Sequence, residues 1–170
     1  MNTDNELLDI VDNNDQVIGT QTRSEIHRQG LRHRAVHILV YNHQNQLFLQ
    51  KRSMSKDINP GLWGTSAAGH VDSGEDYDLC AARELTEELG IHANQALSFL
   101  FKMNATIATG MEFVKVYRLV HDGPFELCAD EIDEGQWVET TDITAKVNRN
   151  DPTLTETFKC LWRKFSTKSN

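Results

Sequence analysis

From Gly69 to Ile91 a glycine-bracketed loop runs into a helix that carries three glutamates close together, Glu84, Glu87 and Glu88. Gly69 and Gly74 enclose His70, Val71, Asp72 and Ser73. Glycine permits tight turns and close backbone approach to a ligand. The spacing predicts a helix from about Glu75, capped by Ser73 or Gly74, with Glu75, Asp76 and Asp78 at the positive end of its dipole. Gly90 stands where helices commonly end in a left-handed residue. Projected at about 100° per residue, Leu79, Ala82, Leu85 and Leu89 form one apolar face. Glu84, Glu87 and Glu88 fall roughly opposite, with Arg83 beside them.

Glu84 and Glu88 lie four apart, and like charges at that spacing repel by about 0.2–0.5 kcal/mol on an exposed helix. By charge alone the stretch is a solvated acidic face with Arg83 as partial counterion. Clustered oxygen ligands are also what Mg²⁺ or Mn²⁺ takes. Spacing separates these readings. Gly69, Glu75 after five residues, Arg83-Glu84-Leu85 after seven, Glu87-Glu88 after one and Gly90-Ile91 after one fill nine specified positions over 23 residues. The segment therefore resembles the signature box of the Nudix hydrolases.

That resemblance implies an α+β fold, an α/β/α sandwich with a mixed β-sheet between helices. It implies cleavage of a diphosphate linked to a further moiety X, with Mg²⁺ (or Mn²⁺) and water. Carried over position by position, Glu87 and Glu88 match the family's usual metal ligands, and Glu84 a further ligand or the residue that orients or deprotonates water. Gly69 matches a carbonyl donor to metal, and Arg83 and Glu75 match supports of loop and helix. A carboxylate from outside the box often completes such sites. Glu131, and after it Glu134, in the acidic run before Trp137 are the residues that fit. A solvated acidic loop is the alternative there.

The flanks resemble a Nudix subgroup close to type I isopentenyl-diphosphate isomerases. The pieces are His33-Arg34-Ala35-Val36-His37, Gln50-Lys51-Arg52, Pro60-Gly61-Leu62-Trp63 and Ala68-Gly69-His70. Those isomerases place a proton-transferring cysteine where this chain has Ala68, and their box tends to be degraded, whereas this one is intact. Both departures favour hydrolysis. His27, His33 and His70 roughly match the histidines of the isomerase metal site, although a histidine is more often a structural hydrogen-bonding residue. Lys51 and Arg52 end a strand near the expected phosphates, and on strand alternation only one can face them. His70 has the best individual claim to a ligand or acid/base role. Trp63 and Pro60 could wall a pocket for X or simply pack the core. A prenyl-diphosphate isomerase or phosphatase, and a non-catalytic nucleotide-binding module, are the alternative functions. X itself ranges over nucleoside diphosphate sugars, dinucleotides, damaged nucleotides and prenyl diphosphates.

The chain's 170 residues are enough for one domain with a real core. The expected organisation is a single domain: a hairpin and short helix over 1–32, the main body over 33–165 and a tail over 166–170. A net charge of −8 argues against binding of nucleic acid polymers or anionic membranes. A small-molecule diphosphate is the expected partner, and many relatives pair as homodimers. Cys80, Cys128 and Cys160 have no zinc or disulfide spacing. With no apolar run near the ~20 residues of a membrane span and a polar, acidic start rather than a signal peptide, a cytoplasmic protein is expected.

The pattern predicts a hairpin of Leu7–Asp12 and Gln16–Thr22, a short helix Arg23–Gln29 ended by Gly30, and strands at Arg34–Tyr41 and Gln46–Lys51. Leu62–Ala68 leads into the box. Further strands are expected at Ala96–Ala105, Met111–His121 and Gly135–Val138. A helix over Leu154–Phe165 would bury Leu154, Phe158, Leu161 and Phe165.

Overall fold

The structure, a computed structural model, describes residues 5–92 and 97–168. Ala96, the expected start of one strand, lies outside the described residues, as do 1–4 and 169–170.

Strands β1 (Leu7–Val11) and β2 (Val17–Thr22) form the expected antiparallel hairpin. Its turn is held by Asp12, whose carboxylate accepts the backbone N–H groups of Asn14 and Gln16. Helix α1 (Arg23–Gln29) has Thr22 as N-cap and a left-handed Gly30 at its end. The main sheet comprises β3 (His33–Tyr41), β4 (Leu47–Arg52), β5 (Trp63–Gly64), β6 (Ala67–His70), β7 (Ser98–Met103), β8 (Glu112–Val120) and β9 (Ile132–Val138). β3 runs parallel to β8, and the other pairings are antiparallel, so the sheet is mixed. Helix α2 (Tyr77–Leu89) covers one face, where Cys80, Ala81, Leu85 and Leu89 meet Val36, Ile38, Val40 and Phe48. Helices α3 (Thr140–Asn148) and α4 (Glu156–Lys168) cover the other, where Ile143, Val147, Phe158, Leu161 and Trp162 meet Ala35, Leu39, Leu49 and Val116. This is the three-layer α+β sandwich expected. Among the described residues no helix is long and apolar enough to cross a membrane.

The sheet forks, and the fork positions the site. β3 pairs with β4 only at Tyr41 and Leu47. Further along, β3 pairs with β6 while β4 turns away to β5 and β9. Ser66, fully buried, sits in the crotch. Its hydroxyl donates to the Phe48 carbonyl at 2.6 Å and accepts the Val40 N–H at 2.8 Å, standing in for a missing ladder. Ser66→Ala would leave both backbone groups buried without partners. At roughly 1–3 kcal/mol per unsatisfied group, the expected loss is about 2–4 kcal/mol, read by denaturant unfolding.

Several boundaries differ from expectation for identifiable reasons. α2 begins at Tyr77 rather than near Glu75, because the Asp76 carboxylate caps it by accepting the N–H groups of Asp78 and Leu79. Ser73 and Gly74 are instead drawn to the hairpin through Asp9. β9 starts at Ile132, three residues before Gly135. A Cβ at Gly135 would overlap the Phe48 ring, so this strand position needs glycine. α4 starts at Glu156, because residues 153–155 are held in extended pairing with Trp63. It runs on to Lys168, into the segment read as a tail. α3 was not expected at all. Its threonines are weak helix formers and its N-cap Glu139 makes no side-chain capping bond. Burial of Ile143 and Val147, four apart, pays for it.

Candidate functional site

The acidic helix departs most from its sequence reading in which way it faces. Tyr77, Cys80, Ala81, Glu84, Leu85, Glu88 and Leu89 are the buried residues of α2. At about 100° per residue they form one continuous arc. Glu84 and Glu88 lie inside that arc, between Cys80 and Leu85, not opposite it. Leu79, expected in the core, is 62% exposed. The acids can face inward because the sheet is open beneath them. Gly69 lacks a side chain where the Glu84 carboxylate lies, and a Cβ there would overlap it. Glu88 enters the fork between β6 and β4, accepting from the Ala68 N–H at 3.1 Å and from Gln50 Nε2 at 2.9 Å.

Arg83 ties the box together. It donates to Glu75 twice, at 3.0 and 2.9 Å, to the His70 carbonyl at 3.0 Å, to Glu84 at 2.7 Å and to Glu87 at 3.2 Å. Glu87 is exposed at the mouth of the site. Burial and the neighbouring Glu88 charge push the Glu84 carboxyl well above its ordinary range. Burial pushes Glu88 up to about 8, with Glu131 adding to the shift and the hydrogen bonds from Ala68 and Gln50 opposing it. Among the described residues Glu88 has no ion-pair partner, although its charge feels Arg52. Two adjacent buried carboxylates with one arginine between them form an under-compensated, all-oxygen donor set. That set fits a hard divalent cation.

Glu131 stands across the fork, paired with Lys56 at 2.6 Å. The 53–56 loop closes on this acidic run: Ser53 N–H donates to the Glu131 carbonyl and Met54 N–H to the Asp133 carboxylate. Glu134 lies instead beside Lys51, at 3.9 Å. Of the two strand-end cations, Arg52 is the one whose charge reaches Glu88, while its Nε donates to the Ile58 carbonyl. Trp63 is half-buried and packs on the core beneath α4. The pairing of Lys56 with Glu131 is not legible in the sequence, since nothing in the spacing shows that this loop folds back.

On the other side of β6 the structure brings His27, His33 and His70 together. One potential ligand atom from each lies within 4.8 Å of the others. The ring centroids are 5.0–5.2 Å apart. Glu112 joins them, 3.1 Å from His70 Nε2 and 3.6 Å from His33 Nε2. Sequence reasoning missed Glu112, because only the parallel register of β3 and β8 sets it opposite His33. His33 Nδ1 is 2.9 Å from the Leu31 carbonyl, which can only accept, so Nδ1 donates there. His33 Nε2 and His27 Nδ1 are buried with no hydrogen-bond partner among the described residues. Burial, reinforced by the His70 and Arg23 charges, lowers His27 to about 4. Burial opposes ionisation of Glu112, but the hydrogen bond with His70 and the neighbouring His33 hold its carboxyl far below the usual range. Three imidazoles beside a carboxylate are a nitrogen–oxygen donor set suited to a transition metal.

Gly69→Ala tests the packing of the acids. The new methyl would push the Glu84 carboxylate aside rather than the backbone. The expected result is a 10- to 100-fold weaker divalent-cation affinity with an unchanged far-UV spectrum, measured by calorimetric titration.

Comparisons with known proteins agree with this geometry. Residues 31–158 match the model of the NUDIX domain. An isopentenyl-diphosphate Δ-isomerase from Serratia proteamaculans is 33% identical over 156 residues, 90% of this chain and 87% of that protein. An uncharacterised Nudix hydrolase from Yersinia pestis is 37% identical over 150 residues, covering 86% and 80%. The solved structure of DR0079 from Deinococcus radiodurans superposes with a TM-score of 0.83 at 28% identity, covering 94% of this chain and 98% of that one. An intact box folded against the fork, with the family model spanning most of the chain, places this protein in the Nudix family as a hydrolase of the pyrophosphatase type.

Proposed function

We propose that this protein is a Mg²⁺- or Mn²⁺-dependent diphosphohydrolase cleaving the diphosphate linkage of a nucleoside diphosphate-X or related organic diphosphate. The observation that carries this reading is the pair Glu84 and Glu88, buried side by side against Gly69 and Ala68, with Glu88 lacking an ion-pair partner among the described residues. Glu87, Glu88 and the Gly69 carbonyl would hold the cation, with Glu131 completing the set once Lys56 releases it. A bound divalent cation supplies charge neutralisation at the phosphate oxygens. Glu84, its carboxyl already raised by burial, would orient the attacking water and take its proton. Arg83 keeps Glu84 in place, Arg52 binds phosphate oxygens while Lys51, next along the strand, stays beside Glu134, and Trp63 packs against X. The three free thiols fit a reducing, cytoplasmic setting.

A second reading is an isomerase acting on a prenyl diphosphate. The imidazole trio with Glu112 favours it. Ala68 opposes it, because a methyl group cannot transfer a proton. Incubation with isopentenyl diphosphate and, in parallel, with nucleoside diphosphate sugars, dinucleotides and oxidised nucleotides separates the two. Phosphate or nucleotide release that requires Mg²⁺ or Mn²⁺ is expected. Isomerised product without release would overturn hydrolysis for that substrate, and no cleavage anywhere in the panel would leave a binding module.

A further inference from the structure

His37 belongs neither to the acidic cluster nor to the imidazole trio. It lies on β3, on the sheet face shared with Ala35 and Leu39, and its cross-strand partner on β6 is Ala68. Its Nδ1 is 2.8 Å from Thr65 Oγ1, and that hydroxyl is 3.3 Å from the Ala67 carbonyl. Thr65 is only 1% exposed, so both contacts are shielded from water. A hydroxyl has one hydrogen, and a carbonyl can only accept. The arrangement that uses both contacts has Thr65 donating to Ala67 and accepting from His37 Nδ1–H. The imidazole is then held in one tautomer, with its lone pair on Nε2.

Nε2 has no hydrogen-bond partner among the described residues, yet it is not sealed in like the ring nitrogens of His27 and His33. The ring is half-buried. Burial lowers its pKa to about 4, with Glu112, Arg52 and His70 the charged groups around it, so it is a neutral acceptor at pH 7. It is also close to the diphosphate end of the site. Ala68 gives its N–H to Glu88 and its methyl to the sheet face His37 occupies. Arg52 is a charge neighbour of both Glu88 and His37.

We propose that His37 is a specificity residue whose Nε2 accepts a hydrogen bond from a hydroxyl or amino group of X, selecting diphosphates of nucleosides or sugars over those of hydrocarbons. The proposal rests on the diphosphate-binding reading of the acidic cluster. A hydrocarbon X would strand a partly desolvated acceptor, which costs about 10- to 100-fold in affinity. A nucleoside or sugar X brings donors that satisfy it.

Binding is measured by calorimetry in the presence of Mg²⁺, with two uncleavable probes: adenosine 5′-(α,β-methylene)diphosphate and methylenediphosphonate alone. The wild type should bind the adenosine probe more tightly. His37→Phe should weaken the adenosine probe at least tenfold and leave the bare diphosphonate unchanged. His37→Gln, whose side-chain oxygen accepts, should recover most of the loss. Equal wild-type affinity for both probes, equal weakening of both by His37→Phe, or no weakening of either overturns the proposal. Release of phosphate from cleavable diphosphates is assayed separately. Discrimination without release sinks only the hydrolase reading, and release without discrimination sinks only the role of His37.

Discussion

Glu88→Gln is expected to lower metal-dependent turnover by roughly 10³-fold or more, the scale of removing a group that acts directly on transition-state charge. The fold should survive. Glu88 Oε2 accepts hydrogen bonds from the Ala68 N–H and from Gln50, and a glutamine side-chain oxygen can accept both. The variant also removes one of two adjacent buried charges. At pH 8 and without metal it should therefore be at least as stable as the wild type while nearly inactive. Far-UV spectra, thermal midpoints and turnover with Mg²⁺ measure the three parts together. Wild-type turnover would place the chemistry elsewhere. A collapse of stability alongside activity would make Glu88 a structural residue.

The second large effect concerns pH and the metal-free protein. Glu88 has a folded pKa of about 8 against an ordinary 4.5, and Glu84 is raised as well. For an acid raised in the folded state, the native protein holds a proton that the unfolded chain has lost. Stability from that proton is present below about 4.5 and disappears as pH rises through about 8. His27 and His37 act oppositely, since both are lowered to about 4 from 6.5. Their contribution grows as pH rises to about 6.5 and is constant above it. Between pH 6.5 and 8 the glutamates therefore act unopposed by these histidines. One proton over that interval is worth about 2 kcal/mol, or about 4–8 °C for a chain of this size. The metal-free thermal midpoint should fall over this range. Saturating Mg²⁺, which replaces the protons as counter-charge, should abolish the fall, and cation binding should release protons. Glu88→Gln should flatten the metal-free curve. A midpoint that is level from pH 6.5 to 8 in the metal-free wild type would show that the two acids do not share buried protons.

Much of the architecture follows from local patterns. The Asn13-Asn14-Asp15 turn between apolar runs, Gly30 and Gly90 at helix ends, and the β-branched run of β3 each act through neighbours in sequence, so they can be read there. The box spacing likewise determined the family and brought Arg83, Glu84, Glu87 and Glu88 within one helix of one another. What spacing could not set was direction. A helical projection places residues relative to each other and leaves open which arc is buried. Weighting the leucines put Leu79 inside and the three acids outside, whereas the fold exposes Leu79, buries Glu84 and Glu88 and leaves Glu87 exposed. The deciding features are the absent Cβ of Gly69 and the fork between β6 and β4, both products of strand pairing between segments distant in sequence.

By itself, then, the sequence determined the family, the layered fold and the set of carboxylates. The tertiary structure alone decided that Glu84 and Glu88 are buried, that Glu112 completes the cluster of His27, His33 and His70, and that Thr65 sets the tautomer of His37. The physical reason is common to all three. Desolvation and hydrogen-bond partnership depend on which non-local surfaces meet, and those are set by sheet register rather than by any window of the chain.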